Sequence, residues 1–139
     1  MILILGCGSV GAQAGDLLVD CGAEVVGVRR TPDRAVRTRF PIMAGDAADP
    51  SLYAAIDDEV EAVLLAANPG LRRGRDNRLV EAVRLASARW PRARLVYTGS
   101  TAVYADAAGG DADEAAAVAG DDPAVAGLLA IEQAVLAHR

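Results

Sequence analysis

The sequence predicts a doubly wound α/β fold built on one parallel sheet, and three observations carry that prediction. Short apolar runs closed by glycine or proline alternate with segments whose apolar residues recur at helical spacing. Hydrophobic residues make up 53% of the chain but aromatics only 4%, so Ala, Val, Leu and Ile must fill the space between helices and strands. The 139 residues show no internal repeat and no break in composition, as expected of a single domain that buries about 70% of the surface its unfolded chain exposes.

Ile2 to Leu5 is a continuous apolar run stopped by Gly6, the pattern of a central strand covered on both faces. Val10, Ala14, Leu17, Leu18 and Cys21 then fall at helical spacing, which predicts a helix over Val10 to Cys21 with Gly22 as its terminator. Glu24 to Val28 reads as strand 2. Thr31-Pro32-Asp33 supplies an N-cap, a proline at the first helical position and an acid in the first turn, predicting a short helix over Arg34 to Arg39 that Pro41 ends.

A short third strand near Ile42 and Met43 leads to Gly45-Asp46, and Pro50 to Ile56 forms another short helix. Val60 to Ala67 is strand 4, broken by Asn68-Pro69-Gly70. Leu79, Val80, Val83 and Ala86 mark one face of a helix ending near Trp90 and Pro91, and Arg94 to Thr98 makes strand 5. Residues 105 to 123 are a loop rich in Ala, Gly and Asp, after which Val125, Leu128, Leu129, Val135 and Leu136 define a closing amphipathic helix. Right-handed crossovers then predict the strand order 3-2-1-4-5, with a ligand crevice beyond the carboxyl ends of strands 1 and 4, where the order reverses.

Gly6-Cys7-Gly8-Ser9-Val10-Gly11 is a GxGxxG sequence, and its position gives it meaning: it leaves a predicted strand and opens a predicted helix. Gly6 permits the tight turn, Gly8 lets a pyrophosphate reach the backbone, and Gly11 allows close helix-to-strand packing. The segment, with Ser9 and Val10 at the helix start, therefore reads as the dinucleotide turn of a Rossmann-type domain. An NAD site usually carries an acid at the end of strand 2; here Arg29 and Arg30 stand there, groups suited to a 2′-phosphate, so NADP is expected ahead of NAD. The other reading leaves Arg29, Arg30 and Arg34 as solvated charges. Asp46 has two readings as well, reaching the adenine end of the cofactor or forming a turn or cap. Cys7 reads as a small residue fitted between two glycines, although a helix N-terminus can activate a thiol.

Other functions are disfavoured. A formal charge of -5 repels a phosphate backbone, so nucleic acid is not an expected partner. Cys7 and Cys21 lack CxxC spacing and His138 is the single histidine, so no zinc site is expected, and the thiols point to the reducing cytoplasm. The apolar opening has no basic leader and is far shorter than a spanning helix, so no membrane association is expected.

The segment Leu95-Val96-Tyr97-Thr98-Gly99-Ser100-Thr101-Ala102-Val103-Tyr104 resembles the extended and atypical short-chain dehydrogenase/reductases, the NAD-dependent epimerase/dehydratase group. So do the glycine turn, Gly45-Asp46, Ala66-Ala67 before Asn68-Pro69, Asp113-Glu114, and Leu128 to Gln133. The resemblance implies cofactor contacts at Ala66 and Ala67 and assigns Ser100 to the hydroxyl that bonds the reacting oxygen; the other reading of Ser100 is a strand-end hydroxyl bonding to the local backbone. It also implies a catalytic tyrosine and a lysine four residues on, but registering the last helix on Glu132 puts Ala124 and Leu128 there. Tyr104 occupies a structural position of the motif and is left as an improvised acid or a packing residue.

The chain has roughly half the length usual in that group, so the resemblance implies that the substrate lobe is absent and strand 5 is an open edge. Either the final helix and loop cover that edge or it pairs with another chain, and a homodimer is expected. The expected function is NAD(P)(H) binding with weak or no catalysis. Two alternatives stand beside it: an active oxidoreductase or epimerase-like enzyme completed by a second subunit and acting on a small-molecule substrate, and a scaffold that binds nothing.

Overall fold

The computed structural model describes residues 1–31, 37–56, 59–71, 74 and 76–138. Its strands are β1 (Ile2–Leu5), β2 (Val25–Arg29), β3 (Ile42–Ala44), β4 (Ala62–Leu65) and β5 (Arg94–Tyr97). They form one all-parallel sheet in the order β3-β2-β1-β4-β5, as the sequence predicts. The helices are α1 (Ser9–Asp20), α2 (Pro50–Ala54), α3 (Arg78–Arg89) and α4 (Pro123–Leu136), with a 3-10 turn at Thr101–Val103. No helix among the described residues is long and apolar enough to cross a membrane.

Alternation along the strands sorts the core into two layers. Leu3 and Leu5 of β1 join Val63 and Leu65 of β4 beneath α2, α3 and α4, whose Leu52, Val83 and Ile131 close that side. Ile4 points the other way, into a smaller cluster with Cys7, Ala12, Val25 and Phe40 under α1. Because β1 is central, all three of Leu3, Ile4 and Leu5 are fully buried, which is why the run is apolar without alternation. Leu5 pairs with both Val28 and Leu65, so the carboxyl ends of the three middle strands finish level and open onto one crevice.

The buried face of α1 differs from the one that spacing predicts. Gly11, Ala12 and Gly15 are buried, whereas Val10 and Leu17 are exposed, Leu17 by 67%. The cause is close approach: a β-carbon at Gly11 would lie 2.9 Å from Ile4 Cγ2, and one at Gly15 would lie 2.3 Å from the Phe40 ring. A helix this near its sheet buries its smallest residues. On α4 the buried positions are Val125, Leu128 and Ile131, while Leu136, expected on the inner face, is 77% exposed in the last turn.

Strand 4 is shorter than expected and ends at Leu65, because Gly6 turns across Ala67; a β-carbon on Gly6 would lie within 2.6 Å of the Ala67 backbone nitrogen. Of the helix predicted over Arg34 to Arg39, positions 34–36 lie outside the described residues and Arg37 to Arg39 are not helical. Two helices begin on side-chain caps that the sequence reading did not name: the carboxylate of Asp49 accepts the Ser51 N–H at 2.9 Å, and that of Asp122 accepts the Ala124 N–H at 2.7 Å.

Candidate functional site

The glycine turn is held open by β2. Gly6 N–H and Cys7 N–H both donate to Val28 O, at 2.9 and 2.8 Å, and Gly6 adopts φ 84, in the left-handed region that glycine alone enters freely. Gly8 is the N-cap of α1, and with no side chain it leaves the first helical N–H groups uncapped; the first turn carries no acid. The positive end of the α1 dipole thus faces a crevice, where a ligand anion would replace the missing cap.

The three motif glycines have different physical reasons. Gly6 is required by its φ and by Ala67, and Gly11 by Ile4. At Gly8 the backbone is ordinary, with φ -91, and a β-carbon would meet nothing nearer than Gly6 O at 3.9 Å. Nothing inside the protein demands a glycine there.

The crevice is a cleft of about 870 Å3, within the roughly 300–1,000 Å3 of small-molecule sites. Gly6, Gly8, Ser9, Val10, Arg29, Arg30, Asp46, Ala66 and Ala67 all line it, so the fold gathers these sequence candidates on one surface. Gly11 lies beneath, against Ile4. A second cleft of about 510 Å3 adjoins it, sharing Val10 and Ala66 to Pro69, and extends past Tyr97, Thr98, Ser100, Ala124 and Leu128. The two positions that the register on Glu132 singles out, Ala124 and Leu128, are therefore side by side in one cleft with Ser100.

Ser100 Oγ accepts the Ala102 N–H at 3.2 Å, capping the 3-10 turn. Tyr104 lines neither cleft. It bridges to Val118 and packs in a cluster with Val103, Val125 and Leu128. The phenol that does line the second cleft is Tyr97, whose pKa is raised by burial and then by Glu132. It stays protonated near neutrality, a hydroxyl that can donate one hydrogen bond and accept another.

Asp46 forms a turn, its Oδ1 accepting the Ala48 N–H at 2.9 Å, while Oδ2 stands 3.3 Å from an Arg78 guanidinium nitrogen. Arg78, Asp76, Asn68 and Thr31 line the first cleft without having been singled out from the sequence. Asn68 was legible as a post-strand polar residue; Arg78 opens a helix, where a cation carries no sequence signal of a site.

Cys7 is fully buried, and burial pushes its thiol pKa up; Arg29 opposes this in smaller measure and Asp16 adds to it. It is a packing residue that fills the space left by Gly27, whose β-carbon would lie 2.9 Å from Cys7 Sγ. Since Cys21 is exposed, a thiol reagent at neutral pH is expected to label Cys21 alone in the folded protein and both cysteines after unfolding. Fast labelling of Cys7 in the folded state would contradict the burial argument.

The TrkA-N domain family model matches residues 2–115. No curated protein shows a significant sequence match. Among solved structures, the Bordetella bronchiseptica enzyme WbmH in complex with NAD+ aligns with TM-score 0.74 at 18% identity, over 97% of this chain and 51% of its own. A UDP-galactose 4-epimerase aligns with TM-score 0.73 at 23% identity, over 96% and 49%. The TrkA-N domain of inner membrane protein ybaL from Escherichia coli aligns with TM-score 0.56 at 21% identity, over 69% and 70%. The chain spans about half the length of the first two structures. At these identities the likeness is one of fold, so the resemblance to epimerase/dehydratases extends to their nucleotide-binding half, and the family that matches by sequence is TrkA-N.

Proposed function

Because the chain belongs to the TrkA-N domain family, we propose that its first cleft binds a dinucleotide, with the pyrophosphate over Gly6 to Gly11 and the adenosine end toward Arg29, Arg30 and Asp46. The observation that carries this reading is the turn itself: Gly8 stands at the uncapped start of α1 on the wall of the cleft, and without a β-carbon it leaves the backbone there open to a ligand's approach. Ser9 and Val10 offer backbone N–H groups to the pyrophosphate, and Ala66 and Ala67 form the wall on the β4 side. That WbmH is in complex with NAD+ on the same fold supports the assignment.

NADP is the preferred cofactor. No acid stands at the end of β2 to bond a ribose 2′-hydroxyl, and Arg29 and Arg30 line the cleft there. Replacing both by alanine is expected to lower NADPH affinity by about tenfold or more while changing NADH affinity little. Equal losses for the two nucleotides in parallel titrations would contradict a 2′-phosphate role.

Bound NADP would supply hydride transfer, but this chain's residues offer little to drive it. Ser100 can orient a carbonyl or hydroxyl by hydrogen bonding; Ala124 and Leu128 cannot move a proton, and all basic residues of the chain are arginine or its one histidine. The function we favour is therefore nucleotide binding with weak or no catalysis, as in a sensor or regulatory module.

A second reading, an oxidoreductase or epimerase-like enzyme, requires another chain to bring the acid and a wall for a small-molecule substrate. The open edge of β5, with its own Val96 exposed, favours a homodimer as the form in which this happens. Two free cysteines support a reducing, cytoplasmic setting.

A further inference from the structure

We infer that Arg78 sets the cleft's tolerance for a 2′-phosphate by neutralising Asp46, and that it is a specificity-determining residue of the site. This inference rests on the dinucleotide reading above. Asp46 follows β3 directly, and Gly45 N–H donates to Arg29 O at 3.0 Å. The acid therefore sits at the strand end next to the one bearing Arg29 and Arg30, on the side assigned to the adenosine. A bare carboxylate there would oppose a 2′-phosphate, which adds about 1.5 to 2 negative charges at neutral pH.

Arg78 removes that opposition from a different element. As the first residue of α3 it reaches across to Asp46 Oδ2 at 3.3 Å, while Oδ1 is spent on Ala48 N–H. Among the described residues lining the cleft, three guanidinium groups, Arg29, Arg30 and Arg78, stand against two carboxylates, Asp46 and Asp76. Removing Arg78 takes away the guanidinium that faces the Asp46 carboxylate. Both partners are partly in solvent, the side chains being 58% and 33% exposed, so screening keeps the effect near a single-charge interaction at several ångströms.

The test is a double-mutant cycle of Arg78→Gln and Asp46→Asn, titrating each protein with NADPH and NADH by calorimetry after circular dichroism has shown that the fold is kept. Asparagine retains an oxygen for Ala48 N–H, and Arg78 is exposed, so both variants are expected to fold. Arg78→Gln should weaken NADPH about tenfold and NADH less than about twofold, and adding Asp46→Asn should restore NADPH to within about threefold. Equal loss for both nucleotides overturns the inference, because Arg78 then serves a part they share. Loss without rescue overturns it too, because the guanidinium then holds the phosphate directly; so does an unchanged NADPH affinity. Wild-type protein that binds neither nucleotide fails the reading beneath, a distinct result.

Discussion

Gly8→Val is expected to abolish dinucleotide binding while leaving the fold intact. The valine β-carbon enters open space, 3.9 Å from its nearest neighbour at an ordinary φ, so the cost to stability is limited to N-cap preference, about 1 kcal/mol or less. Its methyl groups instead stand where the pyrophosphate must approach the backbone. Overpacking of that kind is expected to weaken NADPH by about a hundredfold or more. A thermal melt and a fluorescence titration of the same sample check both halves. A folded variant that binds as well as wild type would remove the reason given for this glycine.

Gly6→Ala, two residues earlier in the same motif, is expected to do the opposite and attack the fold. Its β-carbon would lie 2.3 Å from Ala67 Cβ and 2.5 Å from Ala67 Cα, on a backbone at φ 84. Backbone cannot step aside as a flexible side chain can. The left-handed conformation and the clash with Ala67 together are expected to cost about 3–5 kcal/mol, a large part of the roughly 5–15 kcal/mol available to a domain. Urea unfolding monitored at Trp90, which is buried in the main core against Tyr53, measures this directly. A loss below about 1 kcal/mol would show that the segments after β1 and β4 can move apart at this point.

The contrast between these two glycines shows what was legible in the sequence. The strand, turn and helix around GxGxxG could be read because each has a strong local signal: an unbroken apolar run, a glycine at the turn, a helical repeat. Strand order followed from handed crossovers, which depend on chirality and not on detailed packing. The reasons for the individual glycines were harder to read, since Gly11 answers to Ile4 and Gly6 to Ala67, partners separated from them in sequence.

The same limit explains the misplaced faces. Spacing favours large apolar residues, so Val10 and Leu17 were assigned to the core of α1, yet the narrow gap over β1 admits only Gly11, Ala12 and Gly15. In α4 the repeat continued to Leu136, but the helix passes the end of its packed surface before that residue. Arg78 was invisible as a candidate because its partner, Asp46, lies on another element. Tyr97 was hidden inside an apolar strand, while the more conspicuous Tyr104 packs away from both clefts.

The most direct measurement is a calorimetric titration of the purified, unmodified chain with NADPH and, separately, with NADH. Saturable binding of NADPH, tighter than that of NADH, is the result predicted by an uncapped α1, a spare volume at Gly8 and arginines at the end of β2. Absence of binding by either nucleotide would contradict the account and leave a Rossmann-type domain whose cleft serves another ligand or none.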